Sequence, residues 1–398
     1  MEISRRVDAL GSGIFHRNDI RKQLYRHESA SRNLPNLVDL SLGSTDLLPP
    51  SIVLDAIRKA IHEPESSSYC LHSSTRPFRE VVAAWAKRRF GVNVDPENEV
   101  LLLVGSQEGT AHLPFVVMNP GDTGLILDPS YPSHRGGLVL ADAHIEKLVL
   151  KADDDWKPDF SSLSNCQLDK LKIMVFGFPH NPTAQVGEQC WLDDAMARGV
   201  AHQIVIAHDN PYVDLSLEGT SPSLLNCEGW RELGIEFFSL SKAWSMGGFR
   251  LAFAIGAKQL ISGLRRVKSV IDFNQSLALQ KGAIEALSSS LDCPRKTLRV
   301  YRERRDRTVA ALGRLGWGVP VPSMAMYLWM PLPHWAKTKS WDDELLVANL
   351  LDSTGIAITP GSGFGTGGDD WLRLALVRPV DELETAISRI EPWWNANS

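Results

Sequence analysis

Within FFSLSKAWSMGGFRLAF, residues 237–253, an apolar run leads into Ser239, Ser241 and Lys242, and Arg250 follows eight positions after the lysine. Hydroxyls and a guanidinium are groups that hold phosphate, so this stretch sets one amine among phosphate ligands. A lysine works as a Schiff-base nucleophile only when unprotonated, a form that nearby cationic charge or desolvation favours. Standing alone, SxSK is a weak signal, and a surface lysine after a strand explains it better.

Further polar groups stand where apolar runs end. In IVIAHDNPYVDL, Asp209 closes such a run and Tyr212 lies three residues on; ligands of open α/β sheets bind at that strand end. The carboxylate could keep a pyridine nitrogen protonated and the phenol could donate to a ring oxygen, while a helix N-cap and a core edge are the alternative roles. MVFGFPHNPTAQV offers Asn181, another amide donor or an Asn-Pro turn initiator. In EVLLLVGSQEGTAHL a strand gives way to Gly105, Ser106 and Gln107 and then a helix, whose first backbone amides bind phosphate without a charged side chain. LILDPSYPSH supplies Tyr131, a stacking plate for a planar ring or ordinary packing. Arg373, inside the apolar pattern WLRLALV, cannot shed its charge and needs an anion, either a substrate carboxylate or an internal salt-bridge partner.

The elements that must position these groups follow from periodicity. From about Ser51 onward, short apolar runs alternate with stretches of helical period, the pattern of a parallel sheet covered by helices. Strands are expected at 100–104, 124–127, 172–176, 203–207, 236–240 and 250–255. Helical patterns at 258–287 and 295–315 follow, the second with Arg and Glu on a face read as solvated. Then come a strand in AMYLWM, a helix at 342–351, a strand at 356–359 and a last helix near 381–390. This predicts an α/β protein with a large domain over 46–285, its mostly parallel central sheet covered by helices. A smaller α+β domain takes 1–45 and 286–398.

Composition bounds the function. With 43% hydrophobic and 22% charged residues the chain reads as globular, and a net charge of -5 argues against nucleic-acid or acidic-membrane partners. The five scattered cysteines form no CxxC pair, which suggests no disulfide framework and no metal site. With no leader pattern and no long apolar span, a cytoplasmic location is expected. Gly363, Gly365 and Gly368 match GxGxxG, but a strand-like segment follows them where a dinucleotide site needs a helix.

Taken together and in this order, these segments resemble the fold type I pyridoxal-phosphate-dependent aminotransferases of class I/II, over nearly the whole chain. The resemblance implies pyridoxal 5'-phosphate held as a Schiff base on Lys242, with Asp209 at the pyridine nitrogen and Tyr212 and Asn181 at the ring oxygen. It gives the phosphate to Ser239, Ser241, Arg250 and the Ser106 and Gln107 amides, the ring face to Tyr131, and the substrate carboxylate to Arg373 and Gly43, with Asn181 beside them. Tyr69, in SSYCLHSSTRPFRE, matches the tyrosine that reaches a neighbouring subunit's phosphate, which implies a homodimer with shared sites. The implied reaction moves an amino group from an amino acid to a 2-oxo acid in ping-pong fashion.

Thr45, Ser74, Ala184 and Ala252 depart from the family pattern without removing a catalytic group. LSLGSTDLLPP, GSQEGTAHL and DFNQ look most like the LL-diaminopimelate aminotransferase-like branch, so LL-diaminopimelate and 2-oxoglutarate are the expected pair. Glu108 is a candidate reader of the distal ammonium, or a solvated helix-start glutamate. A C-S lyase or ring-forming synthase on the same fold is the rival reading; a non-catalytic ligand sensor is the more distant one.

Overall fold

A computed structural model describes residues 2–32, 34–290, 292–324 and 326–398. Its strands are β1 (Val38–Asp39), β2 (Val100–Val104), β3 (Thr123–Asp128), β4 (His144–Val149), β5 (Leu171–Phe176), β6 (Val205–Asp209), β7 (Gly234–Ser239), β8 (Leu251–Gly256), β9 (Tyr327–Pro331), β10 (Ile356–Ala357), β11 (Thr359–Pro360) and β12 (Trp371–Ala375). Seven of them form one sheet in the order β2-β8-β7-β6-β5-β3-β4. Pairing is parallel from β4 through β7, and β8 runs antiparallel to both its neighbours. A loop of eleven residues, too short for a helical crossover, separates β7 from β8 and forces that reversal.

Alternate side chains of each strand enter two cores. Leu101, Ile173, Ala207 and Phe237 pack with Leu113, Leu138 and Leu264 of the helices on one face. Leu102, Met174, Ile206 and Phe238 meet Phe78, Trp85, Leu192 and Ala283 on the other. Burial on both faces explains why these strands read as continuous apolar runs. It also explains why β4 escaped the sequence reading: this edge strand, His-Ile-Glu-Lys-Leu-Val, buries only Leu148.

The remaining strands make smaller sheets, β11-β12-β9 antiparallel and β1-β10 parallel. Arg373 sits in β12 opposite Trp329 of β9. The expected strand at 356–359 is two short pieces in different sheets. Ala325, the first residue of AMYLWM, lies outside the described residues, and the strand begins at Tyr327.

Three expectations need correction. The pattern at 258–287 is two helices, Lys258–Ile271 and Leu277–Ser288. The second is capped by Ser276, whose hydroxyl accepts the Ala278 N–H. Residue 203 ends a helix in the left-handed conformation, so β6 starts at Val205. The charged helix Asp292–Arg314 does not present all its arginines to solvent: Arg304 and Arg305 are buried, paired with Asp46 and with Glu218 and Asp306. Among the described residues no helix is long and apolar enough to cross a membrane.

Candidate active site

Every parallel strand of the large sheet ends on the same edge, and β8, being antiparallel, starts there. That edge brings together Gly105 to Gln107 after β2, Tyr131 after β3 and Asn181 after β5. Asp209 and Tyr212 join them from β6, Lys242 from β7, and Arg250 from just before β8. All of these but Gly105 line one cavity of about 230 Å³ with Gly43, Ser239, Ser241 and Arg373. Tyr69 is left outside it, as is Glu108; the Tyr69 position is a surface one. Its side chain is 82% exposed, with its ring 5.0 Å from that of Phe273.

Lys242 Nζ donates to the Gly43 carbonyl at 2.7 Å and lies 5.7 Å from the Tyr212 ring centre. Asp209 is buried; its Oδ2 is 3.3 Å from His134 Nε2, and its Oδ1 has no partner among the described residues. No helix begins after it, so the capping alternative falls away. A buried carboxylate oxygen without a donor is a costly arrangement unless a ligand supplies the proton. His180, in the lining of the same cavity, is pushed down to about 3 by burial and then by neighbouring His134, and stays neutral.

In the cavity lining the Ser239 hydroxyl donates to Ser241 Oγ at 2.9 Å. Gly105 has φ 81°, and a methyl group there would lie 2.1 Å from Arg250 Nη2, so only glycine lets the guanidinium close on the helix Ser106–Val117. Gln275 Nε2 donates to the Arg250 carbonyl, holding that residue at its own left-handed φ of 54°. Half-buried Tyr131 donates to Gln107 Oε1 at 3.3 Å. Burial, with Tyr327 and Asp209 nearby, pushes the Tyr131 phenol up to about 12, so it keeps its proton.

Arg373 is 1% exposed. Its Nη1 donates to Asn181 Oδ1 at 2.8 Å and its Nη2 to the Ser41 carbonyl at 2.9 Å, while Nε has no partner among the described residues. The guanidinium lies 4.4 Å from the Tyr327 ring centre, 4.7 Å from Phe364 and 5.5 Å from Phe15. Among the described residues no carboxylate pairs with it, so the internal salt bridge is excluded there. Of the charged side chains lining the cavity, Lys242, Arg250 and Arg373 are cations and only Asp209 is an anion. Such a surplus suits a ligand set carrying a phosphate and a carboxylate, and the unpartnered Asp209 oxygen suits a protonated ring nitrogen. The residues therefore fit pyridoxal phosphate.

Residues 35–390 match the family model described as aminotransferase class I and II. The chain belongs to this family. Its aminotransferase relatives include the LL-diaminopimelate aminotransferase of Dehalococcoides mccartyi, 34% identical over 98% of both chains. The enzyme of the same name from Nitratidesulfovibrio vulgaris is 35% identical over 91% of this chain and 92% of that one. Among solved structures, the probable N-succinyldiaminopimelate aminotransferase of Thermus thermophilus superposes with a TM-score of 0.87 at 38% identity, covering 95% of this chain and 99% of that one. This aminotransferase uses pyridoxal phosphate and acts on amino and 2-oxo acids.

Its site also contains residues the sequence did not single out. His134 follows Tyr131 by three positions, one helical turn, a spacing that could have flagged it. Tyr327, Phe364 and Phe15 come from other elements and gave no local signal. Glu108 is corrected: it is neither a cavity residue nor solvated. Burial pushes its carboxyl up, but His112, Lys268 and the Val104 N–H outweigh that and hold it below the usual range. The GxGxxG loop is a clamp: Asp128 accepts from Gly367 N at 3.0 Å and from the Thr366 hydroxyl at 2.7 Å, fixing Phe364 beside Arg373. Of the departures from the family pattern, the Thr45 hydroxyl accepts the Leu47 N–H at 3.1 Å, and Ala184 keeps a left-handed φ of 60°.

Proposed function

We propose that the aminotransferase takes a long, polar amino acid with a diaminopimelate-like skeleton as donor, and 2-oxoglutarate as acceptor. The observation that carries the amino-acid part is Arg373, a buried guanidinium without a carboxylate partner among the described residues. A substrate α-carboxylate supplies the missing anion through two parallel bonds. The skeleton is supported by relatives named for LL-diaminopimelate and N-succinyldiaminopimelate.

The cofactor, when bound, supplies an electron sink for the substrate α-carbon. Lys242 anchors it and moves the proton at that carbon; Asp209 holds the ring nitrogen's proton; Tyr212 and Asn181 donate to the ring oxygen. Tyr131 covers the ring face, and Ser239, Ser241, Arg250 and the Ser106 and Gln107 amides hold the phosphate. Arg373, Asn181 and the backbone at Gly43 orient the carboxylate. Because Glu108 is tied to Lys268, the distal end of the substrate falls to Gln107, Ser44, Thr45 and Phe15 of the same cavity.

A homodimer with shared sites belongs to the same proposal. Tyr69 at 82% and Phe273 at 50% exposure pack ring against ring on the surface, Val270 nearby in sequence is 84% exposed, and a second copy would cover them. Five free cysteines support a reducing, cytoplasmic setting. The division into 46–285 and the remainder is also proposed, with its second boundary moved to the end of the helix Leu277–Ser288, which packs on Ser51–Ala60 and Arg76–Phe90.

Borohydride reduction and peptide mapping test the anchor, and a label on a lysine other than Lys242 removes it. Comparing kcat/KM for LL-diaminopimelate, aspartate, alanine and an aromatic donor, each with 2-oxoglutarate, tests the substrate. A site built for a distal polar group rejects analogues lacking it by roughly 10,000-fold. A tenfold advantage for any of the other three rejects the skeleton and leaves the transferase assignment standing.

A further inference from the structure

We infer that Tyr327 is a positioning residue that fixes the direction of the Tyr212 proton, donating to Tyr212 so that Tyr212 must donate to the cofactor. The inference rests on the proposed place of Tyr212 at the cofactor's ring oxygen. Tyr327 lies in β9, 115 residues from Tyr212, and their hydroxyls are 3.1 Å apart with rings at 79°. Both phenols are buried.

Proton counting sets the direction. A phenol has one proton and two acceptor positions. Tyr212 Oη already accepts from Asn181 Nδ2 at 3.3 Å. If its single proton goes to the ring oxygen, the remaining contact works only when Tyr327 donates. The reverse order would leave the ring oxygen without the Tyr212 donor.

The surroundings favour that order. The Arg373 guanidinium sits 4.4 Å from the Tyr327 ring centre. Burial acts to raise the Tyr327 phenol, yet Lys242 and Arg373 and the Tyr212 hydrogen bond outweigh it and hold it below its ordinary value. Burial first, and Tyr327 next, raise the Tyr212 phenol well above its own. The more acidic phenol donates and the less acidic one accepts. Gly43 makes the approach possible, because a methyl group there would lie 1.8 Å from the Tyr327 oxygen. The same residue's carbonyl accepts from Lys242, so Tyr327 is wedged between the lysine's anchor and the donor pair.

The test is the pH midpoint of the visible band of the cofactor-loaded enzyme, which reports protonation of the lysine linkage. Donation to the ring oxygen favours the form with the proton off that linkage, so losing it raises the midpoint. Tyr327→Phe should raise it by about 0.3–1 pH unit, the weight of one hydrogen bond. Tyr212→Phe should raise it further, and the double variant no further than Tyr212→Phe alone. Fluorotyrosine at position 327, a stronger donor of the same shape, should lower it, which also serves if Tyr327→Phe folds poorly. An unmoved midpoint in Tyr327→Phe beside a moved one in Tyr212→Phe overturns the relay, as do additive shifts or a fluorotyrosine shift that is absent or upward. No shift in Tyr212→Phe removes the underlying reading of Tyr212, and the relay with it.

Discussion

Arg304 meets Asp46 through two parallel hydrogen bonds of 2.6 and 2.7 Å, with a further bond of 3.0 Å to the Leu376 carbonyl. The pair joins the helix Asp292–Arg314 to the loop that carries Gly43 and Thr45 into the cavity. Arg304 is 3% exposed while the Asp46 side chain keeps 21% exposure, so removing the head group leaves a partly hydrated carboxylate and takes the donor from the Leu376 carbonyl. Arg304→Met should lower stability by about 1–3 kcal/mol, since water still reaches the Asp46 carboxylate, and raise KM for both substrates more than it lowers kcat. Denaturant unfolding and steady-state kinetics read the two effects. A stability loss with unchanged KM would mean that the pair does not set the loop.

Asp209→Asn keeps size and hydrogen bonding to His134 but loses the negative charge proposed to face the ring nitrogen. Each pKa unit lost at that nitrogen is worth about 1.4 kcal/mol, so proton removal from the α-carbon should slow on the order of 100-fold or more. Cofactor affinity should change far less, since the phosphate ligands remain. Single-turnover proton exchange measures the first quantity and equilibrium dialysis the second; equal losses in both would give Asp209 another task.

Arg373→Lys retains a charge but not the planar fork. For amino and oxo acids alike, kcat/KM should fall by about 10–100-fold, or roughly 1.4–2.8 kcal/mol. Amines without a carboxylate should be spared. Kinetics on matched substrates with and without the carboxylate decide it, because a merely structural arginine would lower both equally.

His180 is held down to about 3 by burial and by His134, and in an unfolded chain it returns to about 6.5. Between those values the unfolded chain binds a proton that the folded one refuses, so stability falls as pH drops from about 6.5 towards about 3. His180→Gln should flatten that fall by up to about 1.4 kcal/mol per pH unit. Urea unfolding of both proteins at pH 7, 6 and 5 supplies the comparison, and parallel slopes would reject the assignment.

The sequence by itself pointed to most of the polar residues that line the cavity and to the class of the fold. Asp209 ends an apolar strand, Ser106, Lys242 and Asn181 follow one within a few residues, and a parallel sheet sends all such strand ends to one edge. Local pattern therefore implied proximity without any knowledge of the packing. What only the tertiary structure decided is how side chains from distant elements meet. Glu108 found Lys268, 160 residues away, instead of a substrate. Arg304 turned from an expected solvated face to Asp46, 258 residues away. Tyr327 and Phe364 closed around Arg373, and the pattern at 258–287 broke where Gln275 donates to the carbonyls of Leu103 and Arg250. Periodicity records which face of an element is apolar, whereas which buried charge meets which partner is settled by the packing of elements that the chain order alone does not bring together.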